Sequence, residues 1–198
     1  MRLVLATRNP GKVTELAARL DGLGVDLVTA AETGAPEVEE DAETLRGNAE
    51  KKARALFDHT GLPSLADDTG LEVDALDGAP GVRSARYAGP DATDLDNRRR
   101  LLAALDVRTD RSARFRTALA YVDANGVRFF DGVCEGTITT AEVGDGGFGY
   151  DAIFEPAGAD GRTFAQMGKA EKNEISHRGR ALDAFARWLG DRAERGRP

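Results

Sequence analysis

A chain of 198 residues, 41% hydrophobic and 31% charged, can bury the core of one sizeable globular domain. Its net charge of -7 argues against a broad nucleic-acid surface, and no apolar run approaches the roughly 20 residues that cross a bilayer. The single cysteine, Cys134, excludes an internal disulfide, no Cys/His cluster is spaced for zinc, and the opening residues lack signal-peptide anatomy, so a cytoplasmic protein is expected.

Taken in chain order, Arg2 to Ala6 read as a short buried strand. Beyond Pro10-Gly11, apolar residues at Val13, Leu16, Ala17, Leu20 and Leu23 have helical spacing, and Pro10 suits a helix start. A second helix is predicted over Ala42 to Phe57, with Leu45, Ala49, Ala53 and Leu56 on one stripe and Asp41 as N-cap. His59 lies at its far end before Gly61, a structural position. Strands are predicted at Ser64 to Asp67 and Leu71 to Val73, separated by Thr69-Gly70. Asp94 to Leu105 reads as helix. Arg114 to Val122 and Val127 to Cys134 read as a hairpin around Ala124-Asn125-Gly126, and Gly136 to Val143 as a further strand. A last helix spans Ser176 to Leu189 with Leu182, Phe185 and Leu189 inward, followed by a polar, frayed tail from Asp191. Helices and strands mix without strict alternation, which predicts an α/β fold with a mixed sheet flanked by helices.

Several segments carry chemistry. Thr7-Arg8-Asn9-Pro10-Gly11-Lys12 puts a turn and a lysine at a helix N-terminus, where backbone N–H groups and the helix dipole favour anions. It is not a Walker motif, and a plain strand-to-helix turn is the alternative. Asp67-Asp68 follow an apolar strand and are expected at its C-terminal end, where α/β sheets place ligands. With the acidic run Glu37, Glu39, Glu40 and Asp41, they are the hard oxygen donors that Mg²⁺ takes, although such a run is often only a solvated loop. Gly147-Phe148-Gly149-Tyr150-Asp151 joins aromatic faces to a flexible backbone, suited either to a planar base or to a packed turn. Lys169, Lys172, Ser176, His177 and Arg178 gather at the start of the last helix, where the dipole disfavours cations. Of the 27 basic residues 22 are arginine, so the five lysines, confined to positions 12, 51–52, 169 and 172, stand where a compact point charge is wanted.

In this order, these segments together with Ser84-Ala85-Arg86-Tyr87-Ala88-Gly89 and Lys172-Asn173-Glu174-Ile175-Ser176-His177-Arg178 resemble the inosine triphosphate pyrophosphatase family, the Ham1-like house-cleaning hydrolases. The resemblance runs from Leu3 to about Phe185. It implies one two-lobed domain over residues 1–198 with a nucleotide cleft between the lobes, a Maf/Ham1-like fold, and a homodimer without nucleic-acid or membrane partners. It further implies Mg²⁺-dependent hydrolysis of purine nucleoside triphosphates such as ITP, dITP and XTP to the monophosphate and pyrophosphate. Carried over to this chain, Thr7, Arg8, Asn9, Pro10, Gly11, Lys12 and Lys52 would bind phosphates, and Glu40 and Asp68 the metal. Asp68, or Asp67, would accept the proton, while Thr69, Phe148, Gly149, Tyr150, Asp151, Lys172, His177 and Arg178 would contact the nucleotide. Two departures stand out: Gly47-Asn48-Ala49 replaces Glu-Asn-Ala of many relatives, and Ala152 replaces a proline. The alternatives are a Maf-like pyrophosphatase for pyrimidine triphosphates and a nucleotide sensor that does not hydrolyse.

Overall fold

Strands β1 (Arg2–Leu5) and β2 (Asp26–Thr29) pair in parallel around helix α1 (Pro10–Arg19), in a computed structural model that describes residues 1–7 and 10–195. Helix α2 (Ala30–Thr33) is a single turn closed by a Thr29/Glu32 capping box. Helix α3 (Leu45–Thr60) then leads into β3 (Ser64–Val73), whose first residues pair in parallel with β1. Next come the short β4 (Pro80–Gly81), helix α4 (Asp94–Ala104), and the long hairpin of β5 (Ser112–Asp123) and β6 (Gly126–Ile138). Strand β7 (Phe154–Pro156), helix α5 (Lys169–Ile175) and helix α6 (His177–Arg195) follow. Among the described residues the sheet order is β2-β1-β3-β5-β6-β7, with β4 added antiparallel to β3 and β7 antiparallel to β6. The expected mixed sheet flanked by helices is therefore present.

The chain forms two compact units. The first comprises Met1–Asp68, Ala118–Asp131 and the chain from Arg180; the second comprises Thr69–Thr117 and Gly132–Gly179. In the first, Leu3, Leu5, Leu16, Leu20, Phe185 and Leu189 are buried together, so the helical stripes read from the sequence do face a core. Phe130 meets Phe185 edge-on at 5.4 Å. In the second, Leu71, Val73, Leu101, Ile153, Phe154 and Phe164 form the core.

Five expectations need correction. Helix α3 starts at Leu45, capped by the Thr44 hydroxyl, which accepts from the Gly47 N–H at 3.0 Å. Asp41 instead pairs with Lys51 at 2.6 Å, a hydrogen bond that holds its carboxyl below the ordinary value. Residues 64–73 are one strand: the Thr69 hydroxyl bonds Thr117 at 2.7 Å and the backbone stays extended through Gly70. Asp67 and Asp68 thus lie inside β3, but the parallel ladder with β1 ends at Leu5–Leu65, so they do stand just beyond the C-terminal end of β1. The strand expected to Val143 ends at Ile138, because the Arg111 guanidinium takes the Ile138 and Thr139 carbonyls. The tail from Asp191 is helical to Arg195, held by an Arg192–Asp123 pair at 2.8 Å. Finally, Lys169 and Lys172 belong to α5, a separate helix with Lys172 in its last turn, where the dipole favours a cation.

Candidate active site

In the first unit, polar chemistry gathers around the middle of β3. The chain leaves β1, where the Ala6 N–H donates to the Leu65 carbonyl at 2.9 Å, and passes Thr7 before α1. Arg8 and Asn9, two of the predicted phosphate contacts, lie outside the described residues, and for Pro10 and Gly11 only the helical backbone is described. Lys12 stands in the first turn of α1, a turn without acidic residues. Its ammonium is held from across the sheet: Nζ donates to both Asp67 carboxylate oxygens, at 2.8 and 3.0 Å.

Helix α3 supplies the second lysine. Lys52 Nζ donates to Glu40 Oε1 at 2.5 Å and to the Asp67 carbonyl at 2.7 Å, with Asp68 Oδ1 at 4.0 Å. Between the acidic loop and β3 lies Asn48, wholly buried, whose amide donates to Asp68 Oδ2 at 3.0 Å. Lys12, Glu40, Lys52, Asp67 and Asp68 therefore belong to one network in one unit. Glu40 and Asp68 face the same ammonium, so their oxygens already converge on a cation. No group of three or more His, Cys, Asp and Glu side chains fit for a metal occurs among the described residues. Two carboxylates with further oxygens from water and phosphate are nonetheless the usual donor set for Mg²⁺, and the residues present fit it.

The second unit carries the glycine-rich segment. Gly147 has φ of 74°, and a Cβ there would collide with the Asp151 carboxylate, so glycine is required. Asp151 is buried; its Oδ2 accepts from the Phe148 N–H at 2.9 Å and from Lys172 Nζ at 2.5 Å. The same ammonium lies 4.7 Å from the Phe148 ring centroid and 5.1 Å from that of Phe164. Gly149 is fixed on both sides: its N–H donates to Asp94 at 2.6 Å, and its carbonyl accepts from Arg98 at 2.8 Å. Arg98 in turn pairs with Glu142 at 3.0 Å. A cavity of about 340 Å³ opens here, lined by Asp94, Arg98, Glu142, Phe148, Gly149 and Ala152 among others.

The predicted base-contacting residues thus differ in what they expose. Phe148 presents its ring, at 58% exposure, whereas Tyr150 is buried with its hydroxyl donating to the Ser84 carbonyl at 2.8 Å. Burial pushes the Tyr150 phenol up from its ordinary pKa. His177, also buried, stacks on Phe115 with ring centroids 4.6 Å apart, and Arg178 follows it in α6. Thr69 is tied to the buried Thr117. Asn97 pins the Ser84–Gly89 segment, accepting from the Ala88 N–H at 2.7 Å and donating to the Ala85 carbonyl at 3.1 Å.

Sequence reasoning missed Asn48, Asp94, Arg98 and Thr117. For Asn48 a signal existed: it lies on the stripe with Leu45, Ala49 and Ala53, and a polar residue on a helix's buried face requires a partner. Asp94 and Arg98 read as an ordinary exposed helix start, with no signal of their contact to Gly149.

Residues 3–188 match the model of the Ham1 family. The chain is 50% identical to a dITP/XTP pyrophosphatase of Syntrophobacter fumaroxidans, covering 94% of this chain and 84% of that protein. It is 48% identical to the dITP/XTP pyrophosphatase of Geobacter sulfurreducens, covering 96% of each. Among solved structures, a HAM1 protein from Coxiella burnetii superimposes with a TM-score of 0.92 at 40% identity, over 96% of this chain and 99% of that one. A nucleoside-triphosphatase / dITP/XTP pyrophosphatase from Mycobacterium abscessus gives 0.78 at 43% identity, over 93% and 98%. With a family model spanning nearly its whole length and relatives of this identity, the chain belongs to the Ham1 family.

Proposed function

We propose that this protein is a hydrolase of noncanonical purine nucleoside triphosphates, converting ITP, dITP and XTP to the monophosphate and pyrophosphate with Mg²⁺. The observation that carries the reading is the network of Lys12, Glu40, Lys52, Asp67 and Asp68 around the middle of β3. Similarity to the dITP/XTP pyrophosphatases of Syntrophobacter fumaroxidans and Geobacter sulfurreducens supports the choice of substrate class. Glu40 and Asp68 would hold the metal, which would supply Lewis-acid polarisation of the phosphate oxygens. Lys12 and Lys52 exchange their carboxylate partners for phosphate oxygens, with Thr7, Arg8, Asn9, Pro10 and Gly11 completing the phosphate loop. Lys172 adds a further phosphate contact, and Thr69, Phe148, Gly149, Tyr150, Asp151, His177 and Arg178 take the nucleoside.

A water attacks the α-phosphorus, the bond to the bridging oxygen breaks, pyrophosphate leaves, and the proton passes to Asp68. Asp68 is favoured over Asp67 as acceptor because its Oδ1 turns toward the Lys52 ammonium that Glu40 also meets, whereas the Asp67 carboxylate turns toward Lys12 of α1. Hypoxanthine and xanthine offer an acceptor at O6 where adenine offers a donor, so a site lined by donors from Arg178, His177 and backbone N–H groups rejects adenine. No helix is long and apolar enough to cross a membrane, among the described residues. A cytoplasmic homodimer belongs to the same reading, and sedimentation equilibrium tests the dimer.

The deciding experiment is pyrophosphate release from ITP with and without Mg²⁺, beside a triphosphate panel. Release from ITP and XTP only with the metal is expected. A preference for dTTP or UTP would overturn the substrate choice in favour of a pyrimidine enzyme, and no release at all would leave a sensor. Asp68→Asn should lower kcat by about 100-fold or more, the scale of general-base loss.

A further inference from the structure

We infer that Asn48 is a positioning residue that fixes the Glu40 loop against Asp68, setting the spacing of the two carboxylates. The inference rests on the metal reading above. Asn48 lies in the second turn of α3, has no exposed surface, and sits on the stripe otherwise built from Leu45, Ala49 and Ala53. A buried amide in such a place is costly unless both of its ends are bonded. Both are. Its Oδ1 accepts from the Ala42 N–H at 2.9 Å, and its Nδ2 donates to Asp68 Oδ2 at 3.0 Å.

The orientation of the amide follows from chemistry. A backbone N–H can only donate, so the oxygen must face Ala42 and the NH₂ must face the carboxylate. One side chain thereby joins the loop two residues after Glu40 to the strand that carries Asp68. With Oδ2 committed to Asn48, Asp68 turns Oδ1 toward Lys52 at 4.0 Å, the same ammonium that Glu40 meets at 2.5 Å.

The neighbouring position serves the same contact. At Gly47 a Cβ would lie 2.9 Å from the Ala42 Cβ and 3.1 Å from the Thr44 hydroxyl. The loop therefore packs against the first turn of α3 so closely that any side chain at 47 must displace Ala42, whose N–H Asn48 holds. The absence of a carboxylate at 47 is then a condition of how near the Glu40 loop approaches. Two adjacent residues, by independent contacts, keep that loop at one distance from β3.

The test is Mn²⁺ binding to the free protein, followed by the loss of the free-ion electron paramagnetic resonance signal without nucleotide. Asn48→Leu keeps the approximate shape and removes both hydrogen bonds; Gly47→Ala keeps the amide and displaces Ala42. Loss of a partner that orients a metal ligand typically weakens affinity about 10–100-fold. We expect a weakening in that range for Asn48→Leu, and for Gly47→Ala one of about tenfold, at its lower end. The Mg²⁺ concentration for half-maximal ITP hydrolysis should rise in step, while KM for ITP at saturating Mg²⁺ changes less. A role confined to folding would lower Tm and leave the Mn²⁺ affinity of the folded protein unchanged. Mn²⁺ affinity within about twofold of wild type in both variants would overturn the inference while leaving the activity proposal standing. Should Asn48→Leu fail to fold, unchanged affinity in Gly47→Ala suffices to overturn it. A wild-type protein that binds no Mn²⁺ without nucleotide would also overturn the inference, and one that in addition releases no pyrophosphate from ITP would remove the reading on which it rests.

Discussion

Replacing Asp151 with alanine tests how far the glycine-rich segment depends on one buried carboxylate. Asp151 is 3% exposed, and one of its oxygens carries both the Phe148 N–H and the Lys172 ammonium. A hydrogen bond to a charged group contributes about 1.5–3 kcal/mol, and breaking a buried pair costs about 3–5 kcal/mol. These overlap, because the stranded partner accounts for much of the second figure. The Lys172 side chain is 15% exposed, so water can reach part of it, and Phe148 and Phe164 still offer it ring faces. The net loss should therefore be about 3 kcal/mol, or about 6–12 °C in Tm for a chain of this size. Asp151→Asn retains an acceptor for the Phe148 N–H but not the charge, and should lose about half as much. Thermal and urea denaturation followed by circular dichroism measure both variants, and KM for ITP should rise in each as the segment loosens. A Tm within about 2 °C of wild type for Asp151→Ala would refute the assignment of Asp151 as the anchor.

Two other side chains give independent tests. Arg111 donates to the carbonyls of Leu105, Ile138 and Thr139 at 2.7–3.0 Å. Arg111→Lys cannot reproduce that fork and should cost about 2–3 kcal/mol in urea denaturation, so a midpoint equal to wild type would count against it. Burial pushes the Asp123 carboxyl up, but hydrogen bonds from Arg192 and Asn125 outweigh it and hold the group below its ordinary value. A lowered folded pKa contributes stability above the unfolded value near about 4, and that contribution is lost as pH falls through the folded value. Arg192 is about half exposed, so Arg192→Ala should cost only about 0.5 kcal/mol near neutral pH, a gap that closes as pH falls through the lowered Asp123 value. A gap that stays constant or widens in acid would contradict the pairing.

What the sequence disclosed depended on whether a residue's partners were local. Leu16, Leu20, Leu45, Ala53, Leu56, Phe185 and Leu189 are buried as their periodicity implies, because helix spacing alone selects a face. Asp67-Asp68 and the scarce lysines were visible because charge beside an apolar strand, or lysine in an arginine-rich chain, is locally unusual. Strand β2 escaped notice: Asp26–Thr29 has only four residues, and its extended form comes from pairing with Arg2–Leu5. Thr69-Gly70 looked like a break, but distant contacts such as Thr117 keep the strand continuous. The end of β6 was equally hidden, since Arg111 lies 27 residues before the Ile138 carbonyl it captures. Asn48 was the instructive omission. Its position on an apolar stripe was legible, but its partners Ala42 and Asp68 lie on either side of α3 in sequence and meet only in the fold.

The lysine bias itself acquires a physical reason from the contacts. Lys12, Lys52 and Lys172 each pair with a carboxylate while at least partly buried, with Asp67, Glu40 and Asp151 respectively. Lys51 makes only a more exposed pair with Asp41, and Lys169 is exposed. Arginine would be the stronger choice for a permanent ion pair, because its fork grips a carboxylate with two parallel bonds. An ammonium on a four-carbon stem is a point charge that can leave one anion for another with little geometric penalty. On the proposed activity, that exchange is the requirement. Each lysine must be held in place by a carboxylate in the free protein and then turn to a phosphate oxygen when substrate arrives. Glu40 and Asp68, which face the Lys52 ammonium together, would on the same reading offer those oxygens to a metal when Lys52 turns away.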